Sequence, residues 1–248
     1  PAHAVATAID VVLRGPDQAL GAAPRARYGK YVTADRDEIE RINAVRNLIQ
    51  AYLESDTDKR PLSVAVFGPP GAGKSFAIKN LARTLFPDGP EQLEFNLSQM
   101  CEADLITAFQ RVRDASIQKK LPLVFWDEFD TPLNERRLGW LRHFLAPMQD
   151  GKFREGEAFR PLGPAIFIFA GGTASSFNEF AAVRDAEAEV VAKKPDFISR
   201  LRGYVDVLGP NPKSPQDDAV VLRRALLLRS LLLRKAPQIV SDSDPGPA

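Results

Sequence analysis

Cysteine is nearly absent. Cys101 is the only one in 248 residues, so no internal disulfide can form and the chain suits a reducing compartment. Histidine is almost as scarce: with only His3 and His143 and one thiol, the usual zinc ligand sets cannot be assembled. Cys101 itself reads as a small buried or loop residue rather than a nucleophile. No apolar run approaches the ~20 residues that a membrane-spanning helix needs, and no signal peptide opens the chain. A cytoplasmic protein without a membrane partner is therefore expected. Excess charge is missing as well. Lys and Arg total 33 against 32 Asp and Glu, a net charge of +1, which provides no global field for a polyanion. No basic stripe with interleaved aromatics appears either, so nucleic acid is not an expected partner.

What is present is a globular composition, 44% hydrophobic and 26% charged, enough for a sizeable core. Residues 1–32, rich in Ala, Pro and Gly, read as an irregular lead-in with a short strand around Ile9 to Leu13. Thr33 or Asp35 then caps a helix, with capping-box spacing from Asp35 to Glu38. Ile39, Ile42, Val45, Leu48 or Ile49, and Tyr52 give that helix one apolar face. From there short apolar runs alternate with helical patterns, the signature of a parallel sheet flanked by helices. The runs are Leu62–Phe67, Leu93–Leu97, Leu121–Trp126, Ala165–Phe169 and Tyr204–Leu208. Helices are expected at Lys74–Leu85, Ala103–Gln118, Asn134–Met148 and Ser176–Val191, with a hairpin or extended loop between Asp150 and Pro164. One last helix, from Pro215 to Lys235, follows Gly209-Pro210-Asn211-Pro212. The chain opens at Pro1 without methionine and closes on a Ser/Asp/Pro/Gly-rich stretch, so flanking domains are expected.

The strongest chemical signal is Gly68-Pro69-Pro70-Gly71-Ala72-Gly73-Lys74-Ser75, which follows the apolar strand Ser63–Phe67 and opens a helix beginning with Phe76, Ile78 and Leu81. Strand, loop and helix are the context that a Gly-x-x-x-x-Gly-Lys-Ser pattern requires. Gly71 and Gly73 permit backbone angles and close approach that a side chain would block. Backbone N–H groups and the positive end of the helix then cradle phosphate oxygens along Gly68–Phe76. Lys74 adds a cation for the β- and γ-phosphates, and the Ser75 hydroxyl is a Mg²⁺ ligand. ATP and Mg²⁺ are the expected cofactors.

A second signal is the apolar run Leu123-Val124-Phe125-Trp126 ending in Asp127-Glu128. Carboxylates at the C-terminal end of a strand beside the phosphate strand sit where such sheets bind ligands. Asp127 is expected to hold the Mg²⁺ shell and Glu128 to polarise a water for attack on the γ-phosphate. Glu at that position favours hydrolysis over binding alone. Trp126 reads as core.

At these residues the chain resembles the AAA+ ATPases, from about Tyr28 to Leu208. The resemblance implies an α/β fold: a parallel five-stranded P-loop NTPase sheet flanked by helices, with a truncated helical lid. Its domain reading is lead-in 1–32, ATPase core 33–209, start of the lid 210–236, and a linker or disordered tail 237–248. Phe167–Thr173 is similar to the fourth core strand and sensor-1 tip. Lys194-Pro195-Asp196-Phe197-Ile198-Ser199-Arg200-Leu201 is similar to the arginine-finger segment of Clp-type unfoldases. The resemblance thus assigns Thr173 to report on the γ-phosphate or attacking water, and Arg200, with Arg202 as competitor, to a neighbouring subunit's site. It implies a homo-oligomer, a ring or hexamer, working on an unknown protein partner. Asn96 matches a position that holds the catalytic glutamate in check in some members, and Tyr31 and Val32 stand where the lead-in packs on adenine.

Departures from the family are as informative. Leu97–Glu102 lacks the aromatic–apolar–Gly pore loop of unfoldases. Arg223 and Arg224 lie too early on the last helix to match sensor 2. That helix, apolar over most of its circumference, reads as the first lid helix rather than a membrane-surface helix. The runs Pro122–Asp127, Phe144–Asp150 and Ser199–Gly203 also resemble a group of poorly characterised bacterial ATPases in multidomain signalling or defence proteins. Two functions follow: a hydrolysing module that remodels a partner, or a nucleotide-dependent assembly switch with slow hydrolysis.

Overall fold

The computed structural model describes residues 2–55, 60–86, 89–118, 120–212 and 214–240. Helices α1 (Ala2–Arg14) and α2 (Pro16–Ala19) open the chain, followed by a hairpin of β1 (Ala26–Tyr28) and β2 (Tyr31–Thr33). Next come α3 (Arg36–Leu53), β3 (Leu62–Phe67), α4 (Lys74–Leu85), β4 (Glu91–Asn96), α5 (Glu102–Ile117) and β5 (Pro122–Asp127). The second half holds α6 (Leu141–Asp150), the hairpin β6 (Lys152–Glu155) and β7 (Ala158–Pro161), and β8 (Ile166–Ala170). Three short helices, α7 (Phe177–Ala181), α8 (Ala186–Val191) and α9 (Lys194–Ile198), precede β9 (Gly203–Asp206) and α10 (Ala219–Lys235). Two compact units result: residues 41–207, and residues 1–40 together with 208–248.

The unit 41–207 is built on a five-stranded, all-parallel sheet in the order β4-β5-β8-β3-β9. Parallel strands need cover on both faces, and the three central strands comply: β3 and β8 are buried throughout and β5 up to its last residue. The edge strand β4 instead alternates, exposing Glu94 between buried Leu93 and Phe95. Because successive side chains point to opposite faces, Phe67, Phe95, Trp126, Phe167 and Phe169 share one core cluster. There Trp126 stands edge-on to Phe144 of α6 at 4.9 Å between centroids, and Phe169 edge-on to Phe197 of α9, also at 4.9 Å. Such pairs each contribute about 0.5–1.5 kcal/mol beyond area burial. On the opposite face Lys79 of α4 lies over the Phe125 ring.

Two expected helices are revised. The segment expected to be helical from Asn134 begins its helix only at Leu141. Asn134, Glu135 and Leu138 have positive φ (49°, 64° and 55°), and Leu133 and Arg136 pair in an isolated bridge. A Cβ on Gly139 would come within 2.8 Å of the Leu133 Cβ, so the chain doubles back there, where only glycine fits. The helix expected over Ser176–Val191 is two helices, α7 and α8. Asp185 caps α8 by accepting from Ala188 N at 3.1 Å, which restarts the helix. The hairpin expected between Asp150 and Pro164 is β6–β7, antiparallel.

In the unit formed by the chain's two ends, the strand expected at Ile9–Leu13 is part of helix α1, so the lead-in is not irregular. Ala8 and Val11 lie one turn apart and bury against Ala225 and Leu226 of α10, while Ile9 and Leu13 face out. Helical spacing, once α10 is available as a partner, wins over strand propensity. Arg229 of α10 donates from Nη1 to the Val12 carbonyl at 2.9 Å, placing a cation at the negative C-terminal end of α1. Asp35 caps α3 through Oδ1, accepting from Glu38 N at 3.1 Å. Burial pushes the Glu38 carboxyl above its ordinary range, although Thr33, Tyr31 and Leu208 N all donate to it. The tail expected at 237–248 lies, from Ser241 onward, outside the described residues.

One ion pair joins α8 to α9. Lys194 and Glu189 meet at 3.0 Å with side chains only 4% and 5% exposed, and Lys194 Nζ also donates to the Ala182 carbonyl at 2.8 Å. Replacing Lys194 by Met leaves the Glu189 carboxylate with the Arg184 N–H but without its cation and is expected to cost about 1–3 kcal/mol in chemical denaturation, whereas Lys194→Met with Glu189→Leu should recover most of that loss.

Candidate functional site

Leaving β3, the chain turns through Pro69 and Pro70, with Ala72 N donating to Pro69 O at 3.1 Å. Gly73, in the left-handed region (φ 88°), caps α4, and Ala77 N bonds back to its carbonyl at 2.9 Å. Helix α4 begins at Lys74 and Ser75, and an α-helix turns its first N–H groups outward along its axis. They therefore point, with the helix dipole, toward any anion placed there. The glycines divide the work. A Cβ on Gly68 would sit 2.4 Å from the Val207 carbonyl, so that position needs close approach. A Cβ on Gly71 or Gly73 would meet nothing within 4 Å, and what those residues supply is the positive φ.

Lys74 crosses the mouth of this loop and donates from Nζ to the Gly68 carbonyl at 2.9 Å. Partial burial lowers its pKa from the ordinary lysine range. Asp130, then Asp127 and Glu128, pull it back up. The two sequence signals therefore do converge, but not through neighbouring strands. β8 lies between β3 and β5, which corrects the expectation that the acidic strand sits beside the phosphate strand. Burial raises the Asp127 carboxyl above its usual range, with Glu94 adding to the rise and Lys79 opposing it. Lys79 and Glu94 are themselves paired at 2.6 Å. Among the described residues no cluster of three or more His, Cys, Asp or Glu side chains could cage a metal. Ser75 and Asp127 nevertheless supply the hydroxyl and carboxylate oxygens that suit Mg²⁺, which keeps much of its water.

Glu128 adopts φ 56°, a costly conformation for a residue with a side chain and one that clusters at functional sites. It is held from both sides: its N–H donates to Ala170 O at 2.8 Å, and its carbonyl accepts from Thr131 N at 3.1 Å and Thr131 Oγ1 at 2.8 Å. Thr173 lies just past the end of β8, as expected of a sensor-1 tip. Its hydroxyl, however, donates to Asp130 Oδ2 at 2.5 Å. Asp130, 3% exposed, is the residue that sequence reasoning missed. An Asp three positions after Asp127 was the available signal, but only the fold shows it turned inward.

Arg200 Nη1 donates to the Asp196 carbonyl at 2.5 Å, and Nη2 donates to Gln149 Oε1; its side chain is 23% exposed. Arg202 is exposed and tied through its backbone, N–H to Ser63 O at 2.9 Å. Asn96 lies opposite Asp127 in the sheet register, but its Oδ1 accepts from Ser98 N at 3.0 Å and Ser98 Oγ at 2.7 Å, so it caps the turn after β4. Cys101 is exposed at the N-cap of α5. Tyr31 donates its hydroxyl to Glu38 at 2.7 Å. Arg223 pairs with Asp217 at 2.6 Å and reaches the carbonyls of Gly209 and Asn211, while Arg224 donates to Pro210 O. No helix of the described residues is long and apolar enough to cross a membrane.

Residues 64–184 match the family described as "ATPase family associated with various cellular activities (AAA)". No curated protein matches the chain. Among solved structures, the S. cerevisiae Hsp104–ADP complex aligns with a TM-score of 0.48 and 17% identity, covering 79% of this chain and 37% of that one. The chain thus spans little more than a third of that protein's length.

The left-handed loop angle provides a test. Gly73→Ala is expected to destabilise by about 1–2 kcal/mol and to weaken binding of a fluorescent ATP analogue. Gly156→Ala, at another positive-φ glycine with open space around its Cβ, should cost similar stability and leave nucleotide affinity unchanged.

Proposed function

We propose that this chain, whose residues 64–184 match the AAA ATPase family, hydrolyses ATP at a site shared between subunits of a homo-oligomer and uses the energy to remodel a protein partner. The observation that carries this reading is the convergence on Lys74: its ammonium is tied to the loop carbonyl of Gly68 and lies in the field of Asp127, Glu128 and Asp130. A phosphate loop alone binds nucleotide. A loop whose lysine lies within the electrostatic reach of three carboxylates, one of them on a strained backbone, supports cleavage as well.

In this reading the loop Gly68–Phe76 binds the phosphates through backbone N–H groups, and Lys74 exchanges its contact with Gly68 for the β- and γ-oxygens. Ser75 and Asp127 would hold a Mg²⁺ ion, which would supply positive charge to the phosphate oxygens. Glu128 accepts a proton from the attacking water as general base. Thr173, on the turn beside Glu128, helps to fix where that water sits. Arg200 of a neighbouring subunit reaches the γ-phosphate and stabilises charge in the transition state, which requires it to leave its contacts with Gln149 and Asp196. Its place in the segment Lys194–Leu201 supports it over the exposed Arg202.

Those same contacts favour a second reading. An arginine held by Gln149 and Asp196 within its own subunit suits a nucleotide-dependent assembly switch that hydrolyses slowly. The two readings separate in one experiment, steady-state turnover measured beside oligomer size with and without ATP. Rapid turnover that falls on dilution supports the shared hydrolysis site. Retained nucleotide with negligible turnover, and assembly on ATP addition, supports the switch.

Glu128→Gln is expected to reduce turnover by about 10²–10⁴-fold while ATP binding persists; unchanged turnover removes Glu128 from the mechanism. Arg200→Ala is expected to cost about 10³-fold or more and Arg202→Ala little. Mixing Lys74→Ala with Arg200→Ala subunits should restore part of the activity, because a mixed interface can unite an intact loop with an intact arginine.

A further inference from the structure

We infer that Asp130 is the positioning residue of this site: its buried carboxylate clamps the Gly172–Thr173 turn and thereby fixes the Glu128 side chain and the Thr173 hydroxyl relative to the phosphate loop. The inference rests on the ATPase reading of the site and assigns a role to a residue outside both sequence signals.

The clamp is three hydrogen bonds onto one carboxylate. Oδ1 accepts from Gly172 N at 2.8 Å, and Oδ2 accepts from Thr173 N at 2.9 Å and Thr173 Oγ1 at 2.5 Å. Hydrogen bonds to an ionised acceptor are roughly twice as strong as neutral ones. Two consecutive N–H groups on separate oxygens fix the orientation of the turn as well as its position. An asparagine could not reproduce this, because its amide nitrogen donates where Asp130 must accept.

Neighbouring atoms show what the clamp holds in place. A Cβ on Gly172 would lie 3.1 Å from Glu128 Cγ, so the turn forms one wall of the space occupied by the Glu128 side chain. A Cβ on Gly171 would lie 2.9 Å from the Phe67 ring, at the end of the strand that launches the phosphate loop, and 3.4 Å from Asp130 Oδ2. The double glycine is therefore the close-approach surface on which the β3, β5 and β8 ends meet, and Asp130 is the bond across it. Asp130 forms no ion pair with a cation among the described residues, so its charge is met by these donors and by the field of Lys74. A buried carboxylate is costly unless fully hydrogen-bonded. The fold maintains one here, at the site, where an apolar residue would pack more cheaply.

The clamp also sets the polarity of Thr173. A hydroxyl has one proton, and this one points at Asp130. What Thr173 offers outward is lone pairs, which suit acceptance from a water O–H rather than donation to a phosphate oxygen.

The test uses the full chain with ATP, comparing Asp130→Asn, Thr173→Val, Thr173→Ser and the Asp130→Asn/Thr173→Val double variant. Asp130→Asn and Thr173→Val are each expected to lower kcat by about tenfold or more, with the dissociation constant for a fluorescent ATP analogue changed by no more than about twofold. The double variant should be no slower than Asp130→Asn, because both changes break one unit, and Thr173→Ser, which keeps the hydroxyl, should lose clearly less than Thr173→Val. A kcat for Asp130→Asn within about twofold of wild type overturns the inference. So does a loss that appears in KM or affinity instead of kcat, or losses that multiply in the double variant. Should Asp130→Asn fail to fold, the exposed Thr173 decides: a Val variant about tenfold or more slower than the Ser variant supports the clamp, and equal turnover in the two removes it. Glu128→Gln run in parallel separates the two levels. Turnover that survives it undermines the ATPase reading itself, whereas an inert Asp130→Asn beside a dead Glu128→Gln undermines only the clamp.

Discussion

The structure depends on one strand inserted between two others. β8 pairs in parallel with β3 on one side and β5 on the other, and its ladder continues beyond the strand in both directions. Gly171 N donates to Val66 O of β3 at 2.9 Å, while Ala170 O accepts from Glu128 N at 2.8 Å. Those two bonds tie the launch point of the phosphate loop to the residue proposed as general base. The insertion is possible because β8 reads Ile166-Phe167-Ile168-Phe169-Ala170, apolar on both faces, and can be covered by helices above and below.

Around that strand, rigidity and strain are arranged in sequence. The aromatic cluster of Trp126, Phe144, Phe169 and Phe197 makes the body under the strand ends hard to deform. Above it, the backbone takes positive φ at Gly68, Gly73 and Glu128, and of these only Glu128 carries a side chain that is strained there. A non-glycine residue at φ 56° persists only where its surroundings over-determine it, and here they do, through Ala170, Thr131 and the Gly172 wall. The packed layer thus supports the strained residue at the strand ends, Glu128.

Much of this was legible in the chain. β3 and α4 have the bounds their patterns predict, because an uninterrupted apolar run and a 3.6-residue repeat are local properties. The loop Gly68–Ser75 was equally plain as a motif, since its glycines permit the positive φ that Gly71 and Gly73 adopt. Less legible were segments whose conformation is set by distant partners. α1 is a helix because α10, more than two hundred residues away, covers Ala8 and Val11. The stretch before Leu141 is a folded-back turn because Gly139 lets it press on Leu133. Helices α7 and α8 separate where Asp185 restarts the chain, and Lys194 then joins α8 to α9.

Taken alone, the sequence determined which residue types could do phosphate chemistry: a glycine loop with Lys74 and Ser75, and an acidic pair at a strand end. Those are contiguous motifs, and their physics is that of adjacent backbone groups. It could not determine how the motifs meet. That β8 separates them, that Thr173 spends its only proton on Asp130, 43 positions away, and that Arg200 rests on Gln149, 51 positions away, are consequences of distant residues being brought into contact. Hydrogen bonds and close contacts act over a few ångströms, so which groups they join is decided only once the sheet has set its strand order.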